Sequence, residues 1–217
     1  MTHRIALIHA VQVAIAPVAE AFARLWPQAR CANLLDDQLS ADLERDGALT
    51  PAMIGRFHTL ADYALGTGAA GILFTCSAFG AAIEDVAAKA KVPVLKPNEA
   101  MFEEALARGG RIGLLASFAP SIPSMTEEFH AMADAARSPA RLETACVPEA
   151  MQALRNGDGA THDRLLAAAA GQFQGCDVVL LAQFSTARAA DAVAAATGRP
   201  VLTSPASAVA KLKSRLA

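Results

Sequence analysis

The chain has 217 residues, enough for one large domain or for two small lobes that each bury a core. Hydrophobic residues make up 53% and charged ones 18%, which excludes a disordered chain, and a net charge of −2 supplies no electrostatic reason to bind nucleic acid or an anionic membrane. Cys31, Cys76, Cys146 and Cys176 form no CxxC pair and no Cys/His metal spacing, so they read as reduced, intracellular and metal-free.

In chain order, MTHRIALIHA carries a charge and two histidines where a secretory signal needs a long apolar stretch. RIALIH reads as a strand ending at His9, and CANLL as a second strand-like run followed by Asp36 and Asp37 in a solvated loop. Thr50-Pro51 is an N-cap and first-turn pair that opens the helix MIGRFHTLADYAL. Residues 63–83 carry no formal charge and are about as long as a membrane span. Gly66, Gly68, Gly71 and Gly80, with Thr and Ser at the centre, instead parse them as helix end, loop, the buried strand GILF and a second helix. The chain therefore reads as soluble and cytoplasmic. VPVL follows as a strand ending at Lys96, and EAMFEEALAR runs from Glu99 to a glycine stop. RIGLLA, SMTEEFHAMADAA, THDRLLAAAAGQF, DVVLL, TARAADAVAAATG, RPVL and SAVAKLKSRL continue the alternation of strands and helices.

The alternation is written twice. Arg4 and Arg111, Ile72 and Val179, and Pro93 and Pro200 stand at matching places in three similar apolar runs, always 107 residues apart. Short apolar strands alternating with amphipathic helices predict an α/β fold: two doubly wound lobes related by a pseudo-twofold, each with a parallel sheet flanked by helices, and a cleft between them. The boundary falls near KPN. Residues 1–97 with 206–217 make the N-terminal lobe and 98–205 the C-terminal lobe, the last helix packing back on the first lobe.

Ligands of open α/β sheets bind at the carboxyl ends of the strands. The repeat pairs Cys76 with Gln183 there, Ala78 with Ser185, His9-Ala10 with Ala116-Ser117, and Lys96-Pro97 with Thr203-Ser204. A thiol facing a helix N-terminus is expected to have a lowered pKa. The N–H groups of that turn, with the Thr75 and Ser77 hydroxyls, would hold a carboxylate or enediolate oxygen. Ser185 and Thr186 either cap the TARAADAV helix or serve the same oxyanion, since both roles use the same N–H groups. Lys96 either pairs with Glu99 or Glu103, or is the counter-charge for a second substrate carboxylate. His9 contacts substrate or lines the cleft, while Ser117 and Phe118 line it from the second lobe, beside Phe184. His58, His130 and His162 lie in helical patterns, where solvated or satisfied histidines are the common case.

FTCSAF, VPVLKPNEAMFEEAL, RIGLLASFAPS, DVVLLAQFSTA and the RIALIHA start together resemble the Asp/Glu/hydantoin racemase superfamily over nearly the whole chain. That family includes aspartate, glutamate and hydantoin racemases, maleate isomerase and arylmalonate decarboxylase. The resemblance implies two facing lobes, a small carboxylic-acid substrate, no cofactor, no metal, and a homodimer. It also implies catalysis by one cysteine on each face of the substrate's α-carbon. FTCSAF looks like the first cysteine motif, with Cys76 as proton donor, proton acceptor or nucleophile. At the second motif Gln183 stands where the thiol should be, and an amide cannot relay a proton as a base. One thiol favours decarboxylation, isomerisation or one-face exchange over racemisation, unless His9 or Lys96 supplies a second base. A non-catalytic carboxylate-binding protein on the same fold and a thiol sensor are the readings from other classes.

Overall fold

Eight short apolar strands pair into two four-stranded parallel sheets, as the alternation predicts. The computed structural model describes residues 3–217; Met1 and Thr2, which open the stretch judged above for a leader, lie outside them. The first sheet has the order β2-β1-β3-β4, from β1 (Arg4–His9), β2 (Arg30–Leu35), β3 (Gly71–Phe74) and β4 (Val94–Leu95). Around these strands run α1 (Ile15–Leu25), α2 (Gln38–Asp46), α3 (Pro51–Gly66) and α4 (Gly80–Lys89). After α5 (Glu99–Arg108) the second sheet repeats the order as β6-β5-β7-β8, with β5 (Arg111–Ala116), β6 (Arg141–Cys146), β7 (Val178–Leu181) and β8 (Val201–Thr203). The helices of this half of the chain are α6 (Ile122–Ala135), α7 (Pro148–Arg155), α8 (Gly159–Ala170) and α9 (Ala190–Thr197), and the chain ends in α10 (Ser204–Arg215).

The register repeats as well. Ile5 lies opposite Gly71 in one sheet and Ile112 opposite Val178 in the other, so both pairs of central strands start alike. Thr50 caps α3 by accepting the Met53 N–H at 3.3 Å, with Pro51 in the first turn. The uncharged stretch is α3's end, a loop, β3 and α4. Among the described residues no helix is long and apolar enough to cross a membrane.

Each sheet buries two faces. On the first, Ile5, Leu7, Leu73 and Leu95 pack against α1 and against Ala208, Val209 and Leu212 of α10. On the second, Ile112, Leu114, Leu180 and Leu202 pack against α6 and against Met101, Phe102 and Ala105 of α5. These sets correspond residue for residue at the 107-residue offset. The helix that follows each lobe's last strand therefore covers the other lobe's sheet. The opposite faces close over α2, α3 and α4 in one lobe and over α7, α8 and α9 in the other.

One local expectation changes. The chain after β7 does not enter a helix at Ser185 and Thr186 but makes a 3-10 turn over Phe184–Ala189, and α9 starts at Ala190. Thr186 caps nothing in α9. Its hydroxyl donates to the Gln183 carbonyl at 2.8 Å and so fastens the turn to the strand end.

Candidate active site

The carboxyl ends of the central strands meet between the lobes. Cys76 follows β3 in extended conformation (φ −116°, ψ 119°) and opens the 3-10 turn Ser77–Phe79 that leads into α4. Gln183 follows β7 in the same conformation (φ −123°, ψ 143°). Both side chains line one small interlobe cavity of about 30 Å³. Around it stand Thr75 and Ser77 from the first lobe, and Phe118, Ser121, Phe184 and Ser185 from the second.

Gln183 is held rigidly. Its Oε1 accepts the Ser117 N–H at 2.7 Å and the Ser117 hydroxyl at 2.9 Å, and its Nε2 donates to Ser121 Oγ at 3.0 Å. The amide thus faces the thiol with its oxygen already saturated. Ser77 is also committed, donating across the lobes to the Ala182 carbonyl at 2.8 Å.

Cys76 does not have the lowered pKa expected from the helix end. Burial pushes its pKa up to about 11, while the Ala78 N–H and the Ser40 hydroxyl work in the opposite direction. Removing water from around the sulfur penalises the thiolate more than these hydrogen bonds favour it, so the half-buried group favours the thiol at neutral pH.

Several expected site residues stand elsewhere. His9 is buried behind Thr75, with Nδ1 2.8 Å from Thr75 Oγ1 and Nε2 2.9 Å from Asn33 Oδ1. Burial lowers its pKa against the opposing bond to Asn33. Ser117 and Thr186 act from behind Gln183, on its side chain and backbone respectively. Ala78 faces a separate groove with Gly80, Pro120 and Ser124. Lys96 pairs with neither Glu99 nor Glu103. Its Nζ lies 2.6 Å from Glu84 of α4 and 3.0 Å from Glu128 of α6, bridging the lobes, while Lys211 takes Glu99 and Glu103. Burial raises the Glu128 pKa despite Lys96 beside it. Asp36 is not free in a loop either, since it and Asp42 bind Arg56 of α3.

Other cavity residues carry no motif: Val11, Ala14, Ser40, Met151 and Arg155. Val11, Ser40 and Arg155 also border an open vestibule of about 360 Å³, shared with Asp37 and Glu44. Arg155, at the end of α7, makes no ion pair among the described residues. Among the described residues no group of three or more His, Cys, Asp or Glu stands close enough to hold a metal ion.

Two facing parallel α/β lobes with a thiol at the strand ends of one and an amide at the strand ends of the other define a pseudosymmetric two-lobed α/β protein with an interlobe site. Residues 26–212 match the family Asp/Glu/Hydantoin racemase, and the chain belongs to that family. Solved structures with the same fold include glutamate racemase isoform RacE1 from Bacillus anthracis, with TM-score 0.75, 13% identity, and coverage of 99% of this chain and 81% of that one. Aspartate racemase from Picrophilus torridus gives TM-score 0.74 at 14% identity, with 98% and 94% covered. Allantoin racemase from Klebsiella pneumoniae gives 0.70 at 15%, with 99% and 88% covered. No curated protein matches the chain by sequence. At these identities the solved structures establish the fold alone.

Proposed function

We propose that the protein is a cofactor-independent enzyme of the racemase family that moves a proton at the carbon α to a carboxylate, with Cys76 as its single thiol. The observation that carries this reading is the interlobe cavity itself. Cys76 is the one cysteine among its lining residues, and Gln183 occupies the opposite face. Neither His9 nor Lys96 lines the cavity, and the polar atoms of both are engaged by the protein. That favours chemistry from one face. The protonated thiol gives its proton to the carbon of a bound enediolate, and the resulting thiolate regains a proton from solvent. In the reverse direction the thiolate takes the same proton from the carbon acid. The second N–H of Gln183 and the N–H groups of the turn after it stabilise the enediolate oxygens.

Decarboxylation is the second reading, and the raised pKa of Cys76 favours it. Breaking the bond from the α-carbon to one carboxylate leaves the electron pair in an enediolate, carbon dioxide departs, and the thiol proton completes the product. Only a proton donor is needed, which the thiol supplies. The test is a screen of small carboxylic acids in heavy water for deuterium at the α-carbon and for carbon dioxide, with Cys76→Ser in parallel. Deuterium uptake with retained configuration, or carbon dioxide release, is expected in the wild type and absent from the variant. Inversion as fast as exchange would overturn the one-thiol mechanism. No turnover on any acid, with unchanged affinity in Cys76→Ser, would leave a carboxylate-binding protein.

A further inference from the structure

A thiol that gives up its proton must regain one from solvent, and the structure contains a route for it. Among the described residues the interlobe cavity and the vestibule share only Val11, Ser40 and Arg155, and Cys76 borders the cavity alone. Val11 has no polar side-chain atom, and a guanidinium donates but cannot accept. Ser40, buried in the first turn of α2, is the one shared side chain with both a proton and lone pairs. Thr75 and Ser77 also flank Cys76, but neither borders the vestibule. Thr75 Oγ1 is engaged with His9 Nδ1 at 2.8 Å, and Ser77 donates to the Ala182 carbonyl at 2.8 Å. Ser40 is firmly placed, since Arg56 binds Asp36 and Asp42 on either side of it in the chain.

The Ser40 hydroxyl has a single proton, and two neighbours compete for it. It donates to the Ala10 carbonyl at 3.1 Å, longer than the ~2.8 Å usual for a hydroxyl donor. Its other neighbour is the Cys76 sulfur, which also receives the Ala78 N–H. That N–H is fixed in the backbone, whereas the hydroxyl proton turns about a single bond. While Cys76 is a thiol, Ser40 keeps its proton on Ala10 and offers a lone pair to the S–H. Once the sulfur is a thiolate, the proton turns to it and leaves Ala10. We propose that Ser40 is the proton relay between Cys76 and the vestibule. The inference rests on the proton-transfer reading above. After the thiol has protonated a bound enediolate, Ser40 passes its proton to the sulfur and takes one from a vestibule water in the same step. The hydroxide left behind is neutralised by bulk solvent, the S–H and the Ser40 O–H are both restored, and no alkoxide forms. The acid in the cavity need not leave first, because the relay reaches the sulfur from the side of α2.

Raman spectroscopy of the full chain tests the contact without a substrate, the Cys76 S–H band being assigned by subtracting the spectrum of Cys76→Ser. The band should lie below that of an alkanethiol in hydrocarbon, move up to it in Ser40→Ala and return in Ser40→Thr. Alkylation of Cys76 by iodoacetamide at one fixed pH, read by peptide mapping, should slow about tenfold in Ser40→Ala, the value of one hydrogen bond to the thiolate. An unmoved band or an unchanged alkylation rate overturns the relay. If Ser40→Ala does not fold, a wild-type band at the hydrocarbon position overturns it alone. Turnover is then read in heavy water on the screened acids, aspartate, succinate and phenylmalonate among them. On an acid that gains deuterium with the wild type, Ser40→Ala should lower kcat for exchange about tenfold or more with KM little changed. An unchanged kcat overturns the relay and leaves Cys76 as the acid. No exchange on any acid in the wild type sinks the proton-transfer reading and the relay with it, a shifted band then marking a plain hydrogen bond.

Discussion

At Cys76 two electrostatic effects compete, and their balance decides what the residue can do. Hydrogen bonds from the Ala78 backbone and with Ser40 favour the thiolate, while loss of water around the sulfur favours the thiol, and desolvation wins. Alkylation of Cys76 in the folded protein should follow a midpoint near 11, against about 8.5 for an ordinary thiol. A midpoint at or below the ordinary value sinks this account. The folded pKa lies above the unfolded one, so the thiol's contribution to stability is complete below the unfolded pKa and is lost as pH rises through that window to about 11. Cys76→Ala should accordingly lose less stability over this window than the wild type, as read by denaturant unfolding. Cys76 and Gln183 were legible in the sequence because they occupy equivalent positions in a repeat. The sign of the pKa shift was not, because desolvation depends on what closes over the sulfur. His9 was legible as a strand end, yet its direction, toward Asn33 and Thr75, depends on the neighbouring strands in the sheet.

At the scale of elements, the 107-residue offset holds for the central strands and slips at the edge strands β2 and β6. β1 and β5 are 107 residues apart, but β2 and β6 start at Arg30 and Arg141, 111 apart. Helices α2 and α7 follow these shifted strands, and Ser40 and Met151 are likewise 111 apart, so the 107-residue offset that pairs Cys76 with Gln183 does not point them out. They reach the site because both helices pack beside the strand ends. The two lobes also differ inside. Ala6 of β1 corresponds to Gly113 of β5, where a Cβ would lie 2.6 Å from the Phe173 ring. The second lobe has traded a methyl group for an aromatic ring at that layer. Gly113→Ala should therefore cost about 1–3 kcal/mol by overpacking, measured by denaturant unfolding. Ala6→Gly in the first lobe should act through backbone entropy and lost contact rather than through a clash. A Gly113→Ala variant as stable as the wild type would contradict the packing described.

Across the whole molecule, the interlobe cavity and the vestibule beside it lie where side chains tie the two lobes together. Ser77 reaching Ala182 and Lys96 bridging Glu84 and Glu128 are contacts that parting of the lobes must strain or break. The fold class and its two similar halves were legible because apolar period and spacing determine them; the order of strands in each sheet was not read from the sequence. The Lys96 bridge was not, since its partners lie on α4 and α6, which meet only after the lobes assemble.

The covering of each sheet by the other lobe's last helix records how such a chain could have arisen. Ala208, Val209 and Leu212 sit on the first sheet as Met101, Phe102 and Ala105 sit on the second. A single half therefore contains every type of part the whole uses, but it cannot cover its own sheet. Two identical halves could cover each other, each lending its final helix, and joining them end to end would turn that partnership into one continuous polypeptide. Residues 3–108 expressed alone should consequently be recovered as a dimer by light scattering, and a folded monomer would refute this ancestry.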